Sequence, residues 1–172
     1  MEALTPFQTI GPYFAVAMPG AVLPFRDDEP GQRILIRGQV RDGAGAPAPD
    51  VMIETWQADA AGRLRPDAGW GRFPTDAEGR FEIATVRPGR VPGPEGALQA
   101  PHLLIALLAR GILTRLVTRL YFADEPSTSE DPILLLAPAE RRHTLIAQPM
   151  DDGAFAFDLV LQGLHETVFF DV

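Results

Sequence analysis

The sequence predicts an all-β fold, specifically an antiparallel β-sandwich. The prediction depends on short segments in which apolar and polar residues alternate, on glycine turns between them, and on one fully apolar segment near the middle of the chain. The clearest alternation lies in residues 33–40, where Ile34, Ile36 and Val40 share one face. A period of two places neighbouring side chains on opposite faces, which is typical of a half-buried strand.

Further segments repeat this pattern, at residues 51–56, 80–83, 115–122, 154–161 and 167–171. Glycine follows Asp42, Glu78 and Asp152 at turns that tolerate a positive φ. Leu103–Ala109 is apolar at every position, so we expect a central strand that is covered on both sides. Pro138–Ile146 is the one segment with helical character, because proline suits a first helical turn.

A length of 172 residues suits a single domain, which we place at 1–172. Residues 1–32 are rich in proline and glycine and also contain four aromatic residues, so we expect an ordered N-terminal arm. This arm would pack on a partner subunit or on the sandwich itself, which occupies 33–172. Residues 64–74 and 87–101 are predicted to be long loops, and such loops in a β domain often carry function.

Composition and charge exclude several classes of function. The net charge is −8 and all 15 basic residues are arginine, with no basic stripe that could neutralise nucleic-acid phosphates. The absence of cysteine excludes a disulfide or a thiolate metal site. We expect a cytoplasmic protein, because we find no secretory signal and because Leu103–Ala109 is far too short to span a bilayer.

Eight motifs that follow one another along the chain resemble those of the intradiol ring-cleaving dioxygenases. Each motif alone is unspecific, but the ordered set is specific and extends over nearly the whole chain. The motifs are Gln8–Phe14, Val51–Ala61, Thr75–Gly79, Val86–Gly89, Ala100–Gly111, Thr118–Asp124, Arg142–Ala147 and Gly163–Asp171.

The resemblance implies a β-sandwich that uses non-haem Fe(III) and O2 to cleave a catechol ring between its two hydroxylated carbons. The family holds its iron with two tyrosines and two histidines. At the corresponding positions this chain has Leu64, Val91, His102 and Leu104, and three of these side chains are hydrocarbons. The resemblance therefore implies a chain that has no metal ligands and no catalytic residues of its own, and we expect His102 to be buried and hydrogen-bonded.

In one branch of the family, two homologous chains pair and only one of them, the beta subunit, binds Fe(III). The resemblance to this branch implies an αβ pair within a larger oligomer, acting on a catechol with a ring carboxylate. In the iron-free chain the arm and one arginine line the pocket over the partner's iron, which points to Thr9, Gly11, Pro12, Tyr13 and Arg110 as substrate-binding residues. A guanidinium is a suitable partner for a carboxylate.

Other interpretations remain open at this point. Arg110 could end a strand in solvent, and residues 9–13 could form a plain turn. The whole chain could be a transthyretin-like binding or structural sandwich without an enzymatic partner, although that class does not account for the arm motif or for Ala109-Arg110-Gly111. An active single-chain dioxygenase is disfavoured by the missing ligands.

Overall fold

Eleven strands build the fold in residues 23–171, the part of the chain that the computed structural model describes. The strands are Arg33–Arg41 (β1), Val51–Trp56 (β2), Trp70–Pro74 (β3), Arg80–Val86 (β4), Val91–Pro92 (β5), Leu98–Gln99 (β6), His102–Ala109 (β7), Leu116–Phe122 (β8), Ile146–Pro149 (β9), Phe155–Ala156 (β10) and Leu159–Val160 (β11). Four 3-10 helices lie at Pro94–Gly96, Pro126–Glu130, Leu134–Leu136 and Ala139–Leu145. The all-β prediction is confirmed.

Two layers of strands face each other. One layer has the order β3-β2-β7-β8-β9, and the other consists of β4, β1 and the short strands β10 and β11, which lie along β1. The pairing of β9 with β10 joins the layers at one edge. The small β5–β6 hairpin stands apart from both layers.

The core lies between the layers and consists of the alternating apolar residues that the sequence identified. Ile36 and Ile83 face inward from one layer, and Ile53, Ile105 and Phe122 face inward from the other. All five side chains are excluded from solvent. Burial of each such side chain stabilises the folded state by roughly 1.5–3 kcal/mol. The hydrophobic effect therefore determines which face of each layer is turned to the core.

Three pairs of strands depart from the predicted antiparallel arrangement of the sandwich. β9 runs parallel to β8, and β10 and β11 run parallel to β1. Residues 123–145 form a long crossover between β8 and β9, so that β9 enters the sheet in the same direction as β8. β10 and β11 keep one register along β1, and the Asp158 carboxylate accepts the Gln39 N–H where the ladder is interrupted.

The two predicted loops contain strands. Within 64–74, β3 pairs with β2 in a register that places Arg72 against Glu54, with Nε to Oε1 at 2.7 Å, and Trp70 against Trp56. Cross-strand pairs of this kind stabilise β3 at the edge of the sheet. Glycine and proline within β3 weaken the alternation by which a strand is recognised in the sequence. Within 87–101, the β5–β6 hairpin forms.

Three further predictions met mixed outcomes. The helical segment exists as the 3-10 helix Ala139–Leu145. The predicted strand at 167–171 is reduced to a single bridge between Phe170 and Val117. β7 is central as predicted but is not covered on both sides, because Leu104 on its outer face is 39% exposed. No helix within residues 23–171 has the length and apolarity needed to cross a membrane.

β1 approaches the segment between β10 and β11 closely at Gly38, and a substitution there tests this contact. A Cβ at this position would overlap the carbonyl oxygen of Phe157. We expect Gly38→Ala to lower the free energy of unfolding by about 3 kcal/mol, because backbone atoms must move. Urea denaturation measures this change. Gly43→Ala is the control, since its Cβ would meet Cβ, Cγ and the carbonyl oxygen of Gln162 at 3.2–3.3 Å, contacts that a shift of a few tenths of an ångström relieves. Equal losses in both variants would contradict the packing described.

Candidate functional site

One open pocket of about 190 Å³ brings together the four positions that the sequence resemblance assigned to iron ligands. Leu64, Val91, His102 and Leu104 all line it. Leu64 comes from the turn after β2, Val91 begins β5, and His102 and Leu104 lie two residues apart on the outer face of β7. Residues far apart in the sequence therefore meet at one end of the β2–β7–β8 layer.

Local hydrogen bonds fix the turn that presents Leu64. The buried carboxylate of Asp59 accepts the backbone N–H groups of Ala61 and Arg63 at 2.9 Å and the Arg63 Nε at 2.8 Å. Burial raises the pKa of Asp59, but the bonds from Arg63 and Ala61 outweigh it and hold the pKa below its usual range. The charged carboxylate therefore locks the turn.

The side chains in the pocket do not fit ferric iron. Leu64, Val91 and Leu104 have no lone pair to donate, whereas the hard ferric ion requires phenolate, imidazole or carboxylate donors. Within residues 23–171, no three His, Cys, Asp or Glu side chains form a group that could hold a metal ion. The pocket is present, but its side chains do not supply the oxygen and nitrogen donors that ferric iron requires.

His102 makes a structural hydrogen bond. Its Nδ1 lies 2.7 Å from the carbonyl oxygen of Ala100. Because a carbonyl oxygen only accepts, Nδ1 carries the proton and Nε2 carries the lone pair of the neutral ring. Burial, followed by the nearby Arg119 guanidinium, lowers the pKa of His102 below its ordinary value. The ring is therefore neutral at physiological pH.

A buried carboxylate holds the strands behind the pocket. Asp131 is 1% exposed; its Oδ1 accepts the Tyr121 hydroxyl at 2.9 Å, and its Oδ2 accepts the Ala100 N–H at 2.7 Å. The N–H groups of Ile133 and Leu134 complete the set at 2.9 Å each. Burial raises the pKa of Tyr121 well above its ordinary value. Tyr121 is thus a protonated hydrogen-bond donor in the interior.

Arg119 is a functional candidate that the sequence did not reveal. It lies opposite Leu104 in the β7–β8 register and lines the pocket beside Gln99 and Trp56. A terminal guanidinium nitrogen of Arg119 donates to Gln99 Oε1 at 2.5 Å and to the Tyr121 hydroxyl at 3.4 Å. Only the register distinguishes Arg119 from Arg110 and Arg115, which precede β8.

Arg110 does not belong to this pocket. It follows the last residue of β7, whereas His102 begins that strand, so about 3.3 Å per residue separates the two Cα atoms by roughly 25 Å. Its side chain is 60% exposed, and its guanidinium lies 3.8 Å from the Asp50 carboxylate. The other predicted substrate-binding residues lie outside the described residues; they are Thr9, Gly11, Pro12 and Tyr13.

Comparison with known proteins agrees with this geometry. A family model described as a dioxygenase matches residues 10–163. The chain belongs to the intradiol ring-cleaving dioxygenase family. The dioxygenase domain of a carbohydrate-binding fusion from Streptomyces sp. SirexAA-E, a solved structure, is 30% identical; the match spans 92% of this chain and 98% of that one, with a TM-score of 0.67.

Of two relatives from Burkholderia cepacia, one alpha chain and one beta chain, the chain is more similar to the alpha chain. The protocatechuate 3,4-dioxygenase alpha chain is 41% identical, with 98% of this chain and 97% of the relative aligned. The beta chain of the same name is 35% identical, with 83% and 70% aligned. The family is iron-dependent, and these relatives are the two chains of an alpha/beta enzyme. An unrelated transthyretin-like sandwich is not supported.

His102 gives a pH-dependent test of the buried neutral ring. In the unfolded chain this histidine takes up a proton below about pH 6.5. In the folded chain its pKa is lower, so protonation requires a lower pH. We therefore expect the free energy of unfolding to fall as the pH drops below that value, by at most about 1.4 kcal/mol per pH unit for one proton. His102→Gln should flatten this slope.

The slope is measured by urea denaturation at pH values between about 7 and 5, above the range in which carboxylates titrate. His143→Gln serves as the control, because His143 is exposed. If His102→Gln and the unchanged protein had parallel pH profiles, the ring would not be held neutral by the fold.

Proposed function

We propose that the chain is the iron-free alpha subunit of a protocatechuate 3,4-dioxygenase. Together with a homologous iron-binding beta subunit it would convert protocatechuate and O2 to 3-carboxy-cis,cis-muconate, in the cytoplasm and in an oligomer of αβ pairs. The observation that carries this proposal is the pocket in which Leu64, Val91 and Leu104 stand at ligand positions. The closer similarity to an alpha chain supports the same assignment.

The position of Arg110 supports a role at a site outside its own subunit. The guanidinium is exposed and roughly 25 Å from the pocket of its own chain. A side chain placed in this way can reach substrate only across a subunit contact. Because the net charge of the chain is −8, an anionic substrate requires such a local cation. We propose that Arg110, with Thr9, Gly11, Pro12 and Tyr13, forms the carboxylate side of the beta subunit's pocket.

The outer face of the β2–β7–β8 layer supports contact with another subunit. Leu104 and Trp56 are 39% and 41% exposed, and Ala106 and Leu108 continue this face as half-buried apolar residues. Apolar area at the surface of a sheet is characteristic of an interaction site. A homologous sandwich that presents the same face would form a pseudo-symmetric pair.

Expression of the chain with and without its homologous partner tests the proposal. We expect the chain alone to be colourless and inactive towards protocatechuate, because its pocket lacks donors for iron. The purified complex should show the absorption of tyrosinate bound to ferric iron and should consume O2. Iron content, visible spectra and oxygen uptake measure these properties. Ring cleavage by the chain alone would contradict the proposal.

Arg110→Ala in the complex tests the predicted carboxylate contact. Loss of a charge-assisted hydrogen bond costs about 1.5–3 kcal/mol, so kcat/KM for protocatechuate should fall roughly 10- to 150-fold. Arg80→Ala is a matched control, because Arg80 is 65% exposed and also has an acidic neighbour, Glu78, at 3.8 Å. If both variants retained the original kcat/KM, the role assigned to Arg110 would be wrong.

A further inference from the structure

We propose that the pocket around His102 and Arg119 is a binding site for a small aromatic monocarboxylate. This site is separate from the shared substrate site proposed above, but Trp56 and Leu104 in its wall also belong to the face proposed for subunit contact, so it is open in the chain without its partner. The pocket lies at the opposite end of β7 from Arg110 and is built from this chain's own residues. It has lost its metal donors, and what remains is a cavity with an apolar wall and one cation.

The size of the pocket suits a single ring. Its volume is about 190 Å³. A protein cavity of about 150 Å³ is large enough to take up benzene. The present pocket is therefore large enough for one six-membered ring with one substituent, whereas ligands of drug size occupy cavities of about 300–1,000 Å³.

The walls of the pocket favour an aromatic ring. Trp56 exposes 41% of its surface, and Leu64 and Leu104 expose 64% and 39%. Val91 adds a buried apolar contact on the β5 side. Stacking or edge contact between a ring and an indole adds to the gain from burying apolar area. A flat ring therefore gains more from this pocket than an aliphatic group of the same size.

The electrostatics of the pocket favour a carboxylate. Of the residues that the structure describes, Arg119 is the one charged residue that lines the pocket, and none of these residues contributes an Asp or Glu to the lining. Among residues 23–171 Arg119 has no ion pair. Gln99 and Tyr121 engage one terminal nitrogen, which orients the guanidinium and leaves Nε and the other terminal nitrogen for a ligand. A guanidinium binds a carboxylate in a two-pronged geometry.

Calorimetric titration of the full chain, purified without its partner, tests this inference with benzoate as the probe. Use of the chain alone excludes binding at an iron centre on the partner. Acetate tests whether the carboxylate suffices, and benzyl alcohol tests whether the ring suffices. We expect saturable binding of benzoate at one site per chain, and binding at least tenfold weaker for acetate and for benzyl alcohol.

Two variants locate the site. Arg119→Gln should weaken benzoate binding at least tenfold, and Leu104→Trp should abolish it by filling the cavity with a side chain that its exposed position tolerates. Arg80→Gln serves as the control and should bind benzoate as the unchanged chain does, because Arg80 is 65% exposed and has no assigned binding role. Thermal melting confirms that each variant is folded, and quenching of Trp56 fluorescence gives a second measure of occupancy.

Several results would overturn the inference. One is the absence of saturable benzoate binding up to about 10 mM, which corresponds to a binding free energy weaker than about −3 kcal/mol. Another is equal binding of acetate or of benzyl alcohol, because then the ring and the carboxylate are not both recognised. A third is binding that survives Arg119→Gln and Leu104→Trp but is lost in Arg110→Gln, because the ligand would then occupy the other end of β7.

Discussion

The central strand β7 is the constraint on which the arrangement of both functional regions depends. It is hydrogen-bonded to β2 on one edge and to β8 on the other, and its inner side chains are fully buried. His102 begins the strand and Arg110 follows its end. Because the strand can neither slide nor rotate, the pocket and the exposed arginine stay at opposite ends of the layer. One subunit therefore cannot use both at a single substrate.

Among residues 23–171 the pocket has no set of metal donors, while the hydrogen bonds that support it are complete. Asp59 still holds the turn before Leu64, and Asp131 still ties Tyr121 to the backbone in front of His102. Both carboxylates are buried, and removal of either partner of such a bond is costly. The hydrogen-bonded frame of the pocket is thus fixed by its contribution to stability, whether or not the pocket holds a metal ion.

The inner faces of the strands could be predicted from the sequence, because alternation is a local feature. Short motifs likewise singled out Leu64, Val91, His102 and Leu104, which the fold brings into one pocket. β3 could not be predicted, since Gly71 and Pro74 obscure its pattern and its pairing depends on Glu54 and Trp56, which precede it by many residues. The parallel course of β9 follows from a crossover whose path no local pattern records. Arg119 gains its place in the pocket only through the β7–β8 register.

The central claim is that the identity of three side chains keeps iron out of this subunit. The most direct test compares the unchanged chain with the triple variant Leu64→Tyr, Val91→Tyr and Leu104→His, both loaded with ferric iron and then desalted. The account predicts iron near one equivalent and visible tyrosinate-to-iron absorption in the variant, with neither in the unchanged chain. Equal iron content in the two proteins, whether near one equivalent or near zero, would contradict it.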